Sequence, residues 1–450
     1  MVFCSFTFLL LFMPLVLLLH RALPEQAKRP FLFAASLLFY GWGNPVWLLL
    51  LIYVMALDYA GALLMNKPRL HRKGVLAGLI ALNLLPLFYF KYSGFFRDSW
   101  ASLTGVYLNF TPPLLPAGIS FFTFQGLSYL IDVYRGKVRV QRSFLLFGLY
   151  LSLFPQLVAG PIVRYADLEE QLISPPRVTD ADMRAGLRRF LIGLSKKVLL
   201  ADVMGQYWGK MNGSFENAGA LGAWLGLMAF SFQIFFDFSG YSDMALGLGK
   251  AMGFTFCENF DRPYRSLSLT EFWRRWHMSL TGWFKEYVYI PLGGSHVSAW
   301  RRDLNVMIVW GLTGLWHGAG WHFVLWGLYF GVLLILEKRF LLGRPGFEKL
   351  PSWLRQALTY LIVLLGWGIF SGKGELWGAL IGLKGFCTPQ GLLTTLNFLP
   401  MLLLCAALSF LPALKRLPSP VRRLAAPALA VLCLAALASQ GYAPFVYFQF

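Results

Sequence analysis

The chain has 450 residues, of which 57% are hydrophobic and only 14% charged, against roughly 45–50% and about 25% in a soluble domain. That excludes a soluble globular enzyme and a disordered chain. The apolar runs are continuous over ~17–20 residues, which excludes the short alternating strands of a β-barrel. The 40 Lys+Arg against 21 Asp+Glu give a net charge of +19, read here as the basic loops that orient a membrane protein, not as a nucleic-acid footprint. The expected fold is an all-α polytopic integral membrane protein.

Apolar runs predict spans at 2–19, 31–43, 46–65, 74–90, 114–131, 143–159, 219–238, 354–370, 395–414 and 424–439. The run 304–336 is too long for one crossing, and 190–203 and 374–386 are marginal. The total is about 10–12 transmembrane or re-entrant helices. The first run has no basic n-region and no small-residue cleavage site, so it reads as a retained span. GWGNP at 41–45 and LPAG at 115–118 interrupt the pattern; broken helices at membrane depth are tolerated where they are buried or line a cavity. Three basic clusters fall on one side if the N-terminus is outside. They are Arg21, Lys28 and Arg29; then Lys67, Arg69, Arg72 and Lys73; then Arg135, Lys137, Arg139 and Arg142. At 184–199, Leu187, Phe190, Leu191, Leu194 and Val198 recur at helical spacing beside Arg184, Arg188, Lys196 and Lys197. That pattern suits a helix in the cytoplasmic interface or an ordinary cytoplasmic loop helix. The five cysteines (Cys4, Cys257, Cys387, Cys405, Cys433) form no CxxC pair and imply neither a disulfide framework nor a metal site.

Chemistry concentrates at 231–331, where polar groups sit among apolar runs, and ionisable residues at membrane depth are functional candidates by default. Four of the six histidines fall here: His277, His296, His317 and His322. His317 lies in GLWHGAGWHFVLWG, followed by small residues that permit close approach of a ligand or helix. Imidazole is the usual general base near neutral pH, so His317 suits proton removal from a hydroxyl; a histidine that hydrogen-bonds across helices is the structural alternative. His317 and His322 are five apart, unlike the i,i+4 spacing of zinc-binding helices, and no metal is expected. His277 sits in EFWRRWHMSLTGWFKEY, with Arg274, Arg275, Trp273, Trp276 and Trp283. This reads as an interfacial anchor or as one wall of a substrate passage. In FFDFSGYSDMALG, Asp237 and Asp243 form a polar turn, with Gly240 breaking the helix between them, positioned to orient a histidine or pair with an arginine. There is no G-x-S-x-G elbow, Walker A motif or GxGxxG.

These residues together resemble the membrane-bound O-acyltransferase (MBOAT) superfamily, and within it the membrane subunits of alginate O-acetyltransferases. The resemblance is carried by FKYSGFF at 90–96, LPAGISFFTFQGLSYLIDVYRG at 115–136, FPQLVAGPIVRY at 154–165 and FFDFSGYSDMALGLGKAMGF at 235–254. FWRRWHMSLTGWFKEYVYIPLGGS at 272–295, LWHGAGWHFVLWG at 315–327 and APFVYFQF at 443–450 complete it. It implies a single membrane domain over 1–450, with N-terminal spans and interfacial helices at 1–230, the histidine-motif region at 231–331 and C-terminal spans at 332–450, around a central tunnel. It implies His317 as the catalytic histidine and His277 as the second characteristic one. The expected substrate-binding residues are Trp316, Trp276, Arg274, Arg275, Asp237 and Asp243. His322 takes no assigned role, and His296 reads as a loop residue.

The implied reaction is multi-pass, inner-membrane O-acetylation of an exopolysaccharide such as alginate. Acetyl-CoA is the cytoplasmic donor substrate, with no bound cofactor, and a periplasmic SGNH-type partner completes transfer to the polysaccharide. Three other readings stay open. One is D-alanyl or other acyl transfer to a cell-envelope glycan. Another is a non-catalytic transporter of an anionic small molecule, though no repeated half is visible. The last is a passive scaffold for a polysaccharide synthase.

Overall fold

A computed structural model of the chain describes residues 1–67, 70–213, 215–383, 385–411, 419–440 and 445. Arg69 and, apart from Phe445, the C-terminal motif at 443–450 lie outside the described residues. The main helices are α1 (Met13–Ala22), α2 (Glu25–Gly41), α3 (Pro45–Met65), α4 (Arg72–Leu87), α5 (Ile119–Arg135), α6 (Phe144–Ser152), α7 (Asp180–Ser195) and α8 (Asp202–Asn212). They continue with α9 (Phe215–Ala251), α10 (Leu269–Arg275), α11 (Met278–Phe284), α12 (Ala299–His317), α13 (Trp321–Leu336), α14 (Ser352–Phe370), α15 (Pro389–Phe410) and α16 (Ser419–Gln440). Among the described residues, five helical segments are long and apolar enough to cross a membrane: Pro45–Met65, Arg72–Thr104, Asn217–Ala251, Ser352–Phe370 and Pro389–Phe410. Several of the other expected spans are shorter helices, because proline and glycine interrupt them.

Two compact units emerge: Met1–Phe190 with Tyr241–Glu258, and Leu191–Gly240 with Asn259–Phe450. In the first, the interruptions in the sequence are working turns. Asn44 of GWGNP caps α3, its Oδ1 accepting from the Val46 N–H at 3.0 Å, with Pro45 at the first helical position. Gly118 of LPAG is left-handed (φ 77°) and would place a Cβ 2.7 Å from the Leu157 carbonyl, so only glycine starts α5 there. Asp58, fully buried on α3, accepts at Oδ1 from Asn83 Nδ2 of α4 at 2.7 Å, which gives one oxygen of a group that is costly to bury alone its partner. Arg189 of α7 closes on Asp243 (2.9 Å) and Glu258 (2.6 Å).

In the second unit, the long run 304–336 is a hairpin of α12 and α13, broken at Gly318–Gly320 where the backbone is extended. The two helices pack closely because glycines line the seam. A Cβ at Gly314 would strike the Phe323 carbonyl, one at Gly327 the Trp310 carbonyl, and one at Gly331 would sit 2.9 Å from Met307 Sδ. Small residues are what lets membrane helices approach this closely.

The structure corrects one expectation and adds burial that the sequence did not give. Gly240 does not break α9, which stays helical through it; the only non-helical residue inside that segment is Gly219 (φ 65°). Gly240 instead makes room for the Gly193 carbonyl, which a Cβ would meet at 2.7 Å. Lys197, counted by sequence among the charged residues of an interfacial or loop helix, has a side chain only 2% exposed that lies 2.7 Å from both Asp202 and Asp237. Trp273, Trp276 and Trp283, read from sequence as interfacial anchors or as one wall of a passage, are buried at 7%, 2% and 6% exposure.

Candidate active site

The site is held by a short helix, a tight turn and the tip of the hairpin. Ser268 and Glu271 start α10 with a reciprocal cap: Ser268 Oγ accepts from the Glu271 N–H (3.1 Å), and Glu271 Oε2 accepts from the Leu267 N–H (2.7 Å). Glu337, buried at the far end of α13, accepts from the N–H groups of Leu269 (2.6 Å) and Thr270 (2.8 Å). An anion at a helix N-terminus is stabilised by the helix dipole, and this one ties α10 to the hairpin. The aromatic face of α10 then locks in: the Trp273 ring lies 4.6 Å from Trp310 and 4.9 Å from Phe330, and Trp276 lies 4.9 Å from Trp367.

After α10 the chain turns through His277, whose backbone is left-handed (φ 44°, ψ 54°), a region histidine enters more readily than most residues. The Met278 N–H donates to the Asn259 carbonyl at 3.0 Å, and the Asp261 N–H to the Arg275 carbonyl at 2.9 Å, so the turn is pinned to the 259–261 strand-like segment. Asn259 Oδ1 accepts from the Ser279 N–H (3.2 Å) and from Ser279 Oγ (2.9 Å), which fixes that atom as the amide oxygen. His277 Nδ1, 3.2 Å from the same oxygen, therefore carries the proton and donates it, leaving Nε2 as the basic nitrogen. Burial pushes this imidazole down to about 3, so it is neutral at physiological pH.

His317 ends α12 and is 7% exposed. Its ring sits edge-on to Trp326 (5.0 Å), Trp316 (5.0 Å) and Phe370 (5.6 Å), and 6.4 Å from the His277 ring. The next residue, Gly318, has no room for a Cβ against the Phe323 ring, so the WHG spacing lets the chain leave the helix directly behind the imidazole.

Both histidines line one cavity of about 160 Å³. One wall is the α12 face His317, Thr313, Trp310 and Val306, twelve residues spanning about 16 Å of helix. The other wall runs from His277 through Leu280 and Phe284 to Lys285 and Tyr289. Aromatic and aliphatic groups dominate, with imidazoles at one end and the exposed Lys285 ammonium near the other. Such a channel takes a narrow, largely apolar arm and presents a carbonyl to two imidazoles in a site of low dielectric.

Of the residues expected at the site, His277, His317 and Trp276 line the cavity, and Trp316 packs 5.8 Å from His277 behind it. Arg274 is exposed and Arg275 pairs with Glu271 at 2.6 Å; neither lines the cavity. Asp237 and Asp243 also lie outside its lining and are ion-pair partners of Lys197 and Arg189. His296 is an exposed loop residue, and His322 lies outside the cavity. Sequence reasoning missed Asn259 and Trp310. Trp310 carried a signal, since 306, 310, 313 and 317 share one helical face; Asn259, in a loop 18 positions from its partner, carried none.

Comparison with known proteins gives the family. The model of the MBOAT, membrane-bound O-acyltransferase family, matches residues 137–359, which contain both histidines. The chain is 38% identical to the probable alginate O-acetylase AlgI of Pseudomonas aeruginosa, over 83% of this chain and 72% of that protein. It is 35% identical to the probable alginate O-acetylase AlgI of Pseudomonas putida over the full length of both. It is 34% identical to the peptidoglycan O-acetyltransferase of Helicobacter pylori, over 85% of this chain and 79% of that protein. The chain thus belongs to the membrane-bound O-acyltransferase family, as a multi-pass bacterial membrane protein and an O-acyltransferase.

Proposed function

We propose that this chain takes an acetyl group from acetyl-CoA on the cytoplasmic side and passes it across the inner membrane to a hydroxyl acceptor. A periplasmic SGNH-type partner then completes O-acetylation of an extracellular polysaccharide such as alginate. The observation that carries the reading is the pairing of two buried imidazoles, 6.4 Å apart, at the end of one narrow cavity. The basic residues at the start of α12, Arg301 and Arg302, mark the cytoplasmic end. The exposed Lys285 stands at the far end of the cavity from the histidines, where a cationic mouth favours an anionic donor.

In this reading the pantetheine arm lies along the Trp310–Thr313 wall and brings the thioester carbonyl to the histidines. His317 removes the proton of the acceptor hydroxyl as its oxygen bonds to the acetyl carbonyl carbon. The C–S bond breaks, and the coenzyme A thiolate leaves and takes up the proton from the imidazolium. His277, neutral and held as the Nδ1–H tautomer by Asn259, offers Nε2 to orient the hydroxyl. Trp276 and Trp316 shape and back the cavity. Asp237, Asp243 and Arg275 act through the scaffold, by the ion pairs they hold.

Membranes containing the protein and its partner, supplied with labelled acetyl-CoA, are expected to release free coenzyme A, whereas a D-alanyl carrier protein is not consumed. Asn259→Ala frees the tautomer of His277 and is expected to lower turnover by about 100-fold, the low end of what positioned proton transfer contributes. Consumption of the D-alanyl carrier in place of acetyl-CoA, or full activity in Asn259→Ala, contradicts the donor or the tautomer respectively.

A further inference from the structure

We infer that a slot between α13 and α14 holds a single phospholipid with a net-negative headgroup. The slot has a volume of about 620 Å³ and shares no residue with the His277–His317 cavity. On α13, His322, Leu325, Tyr329 and Val332 form one face at helical spacing. Leu325 and Val332 are 56% and 46% exposed, so the face is open to the bilayer. The Tyr329 hydroxyl donates to the Ile362 carbonyl at 2.9 Å, which ties it to α14 and leaves its ring to the slot. On the opposite wall, Gly372 is left-handed (φ 67°) and would place a Cβ 3.2 Å from the His322 ring, so only glycine brings the loop this close. Trp377 closes the end.

Length and charge identify the occupant. The α13 wall runs from His322 to Leu333, twelve residues spanning about 16 Å. That is one leaflet of a hydrocarbon core ~30 Å thick, the reach of one acyl chain and half of what a spanning partner helix needs. The polar groups gather at one end: His322 and the exposed Lys373, which makes no ion pair among the described residues. No carboxylate lines the slot; Glu375, two residues beyond Lys373, lies outside it. Lys338 and Arg339 follow the other end of α13, which makes that end cytoplasmic and places Lys373 at headgroup level in the outer leaflet. An ammonium at a slot with no acidic wall favours a phosphate whose charge is not cancelled by a choline or ethanolamine.

The test uses the full-length protein, delipidated in detergent and titrated with phosphatidylglycerol or phosphatidylcholine carrying brominated chains. The signal is the tryptophan fluorescence that Trp377→Phe removes. Phosphatidylglycerol is expected to quench it at about fivefold lower concentration, the worth of one lysine near anionic lipid. Lys373→Gln is expected to bring the two lipids level, and Lys373→Arg to keep the preference. Equal quenching in the unaltered protein, or a preference that survives Lys373→Gln, overturns the proposal. So does absence of Trp377 quenching by either lipid, the result expected if a second protein's helix fills the slot.

Discussion

Replacing His317 with alanine is expected to lower acetyl transfer by about 100- to 10,000-fold, the range that a positioned general base contributes. The argument is positional. The ring ends α12, is 7% exposed, and lines the same narrow cavity as His277. No carboxylate lines that apolar enclosure to take the proton in its place. His317→Gln is the sharper variant: it fills most of the volume and keeps hydrogen-bonding groups but exchanges no proton near neutral pH. It is therefore expected to fold, insert and remain as inactive as the alanine variant. His277→Gln is expected to lose less, since an amide still reaches Asn259 or the substrate. Coenzyme A release from labelled acetyl-CoA, measured beside protein level and detergent-solubilised unfolding midpoint, separates chemistry from folding. Turnover near normal in His317→Gln contradicts the assignment.

The second large effect is on stability. Lys197 is 2% exposed and lies 2.7 Å from both Asp202 and Asp237, the latter also 2% exposed. Burial opposes its charge, yet the carboxylates of Asp237 and Asp202 outweigh that and hold the ammonium above its ordinary value. Burial likewise pushes Asp202 up to about 6, against the pull of Lys197. The Lys197 ammonium also stands over the Phe445 ring at 4.7 Å. Lys197→Met removes the cation and leaves the carboxylates buried without it, which costs about 3–5 kcal/mol for a buried pair broken on one side. The expected result is a clear drop in unfolding midpoint and in folded yield. Adding Asp237→Asn to Lys197→Met removes the stranded charge and is expected to recover much of the loss, the signature of a coupled pair. A single variant as stable as the unaltered protein, or a double variant less stable than the single, contradicts this account.

How far the sequence foretold the structure depended on whether a signal was local. The apolar runs, the break in GLWHGAGWHFVLWG and the cap in SLTE are written in consecutive residues, so helices, hairpin and helix starts were legible or recoverable. His317 and His277 stood out as ionisable groups among apolar and aromatic residues, and the structure brings them to one cavity. What stayed hidden were pairings over long separations. Asn259 reaches His277 across 18 positions, Glu337 reaches the start of α10 across 67, and Lys197 reaches Asp237 across 40. A charged residue is grouped with its charged neighbours until its partner is known, which is why Lys197 was counted with Arg184, Arg188 and Lys196 and its burial was not foreseen. Glycine misled for the converse reason. At Gly240 it signalled a helix break in sequence, whereas in the fold it supplies room for a neighbouring backbone.

The central claim is that one cavity brings a thioester to the two imidazoles. It is tested most directly by determining the structure of the protein with a non-hydrolysable acetyl-CoA analogue in which a methylene replaces the thioester sulfur, so that the carbonyl is kept and the C–S bond cannot break. The account predicts the pantetheine arm along the Val306–Thr313 face and the acetyl carbonyl within hydrogen-bond reach of the His317 or His277 ring. An analogue bound elsewhere, with the cavity between those rings empty, contradicts it.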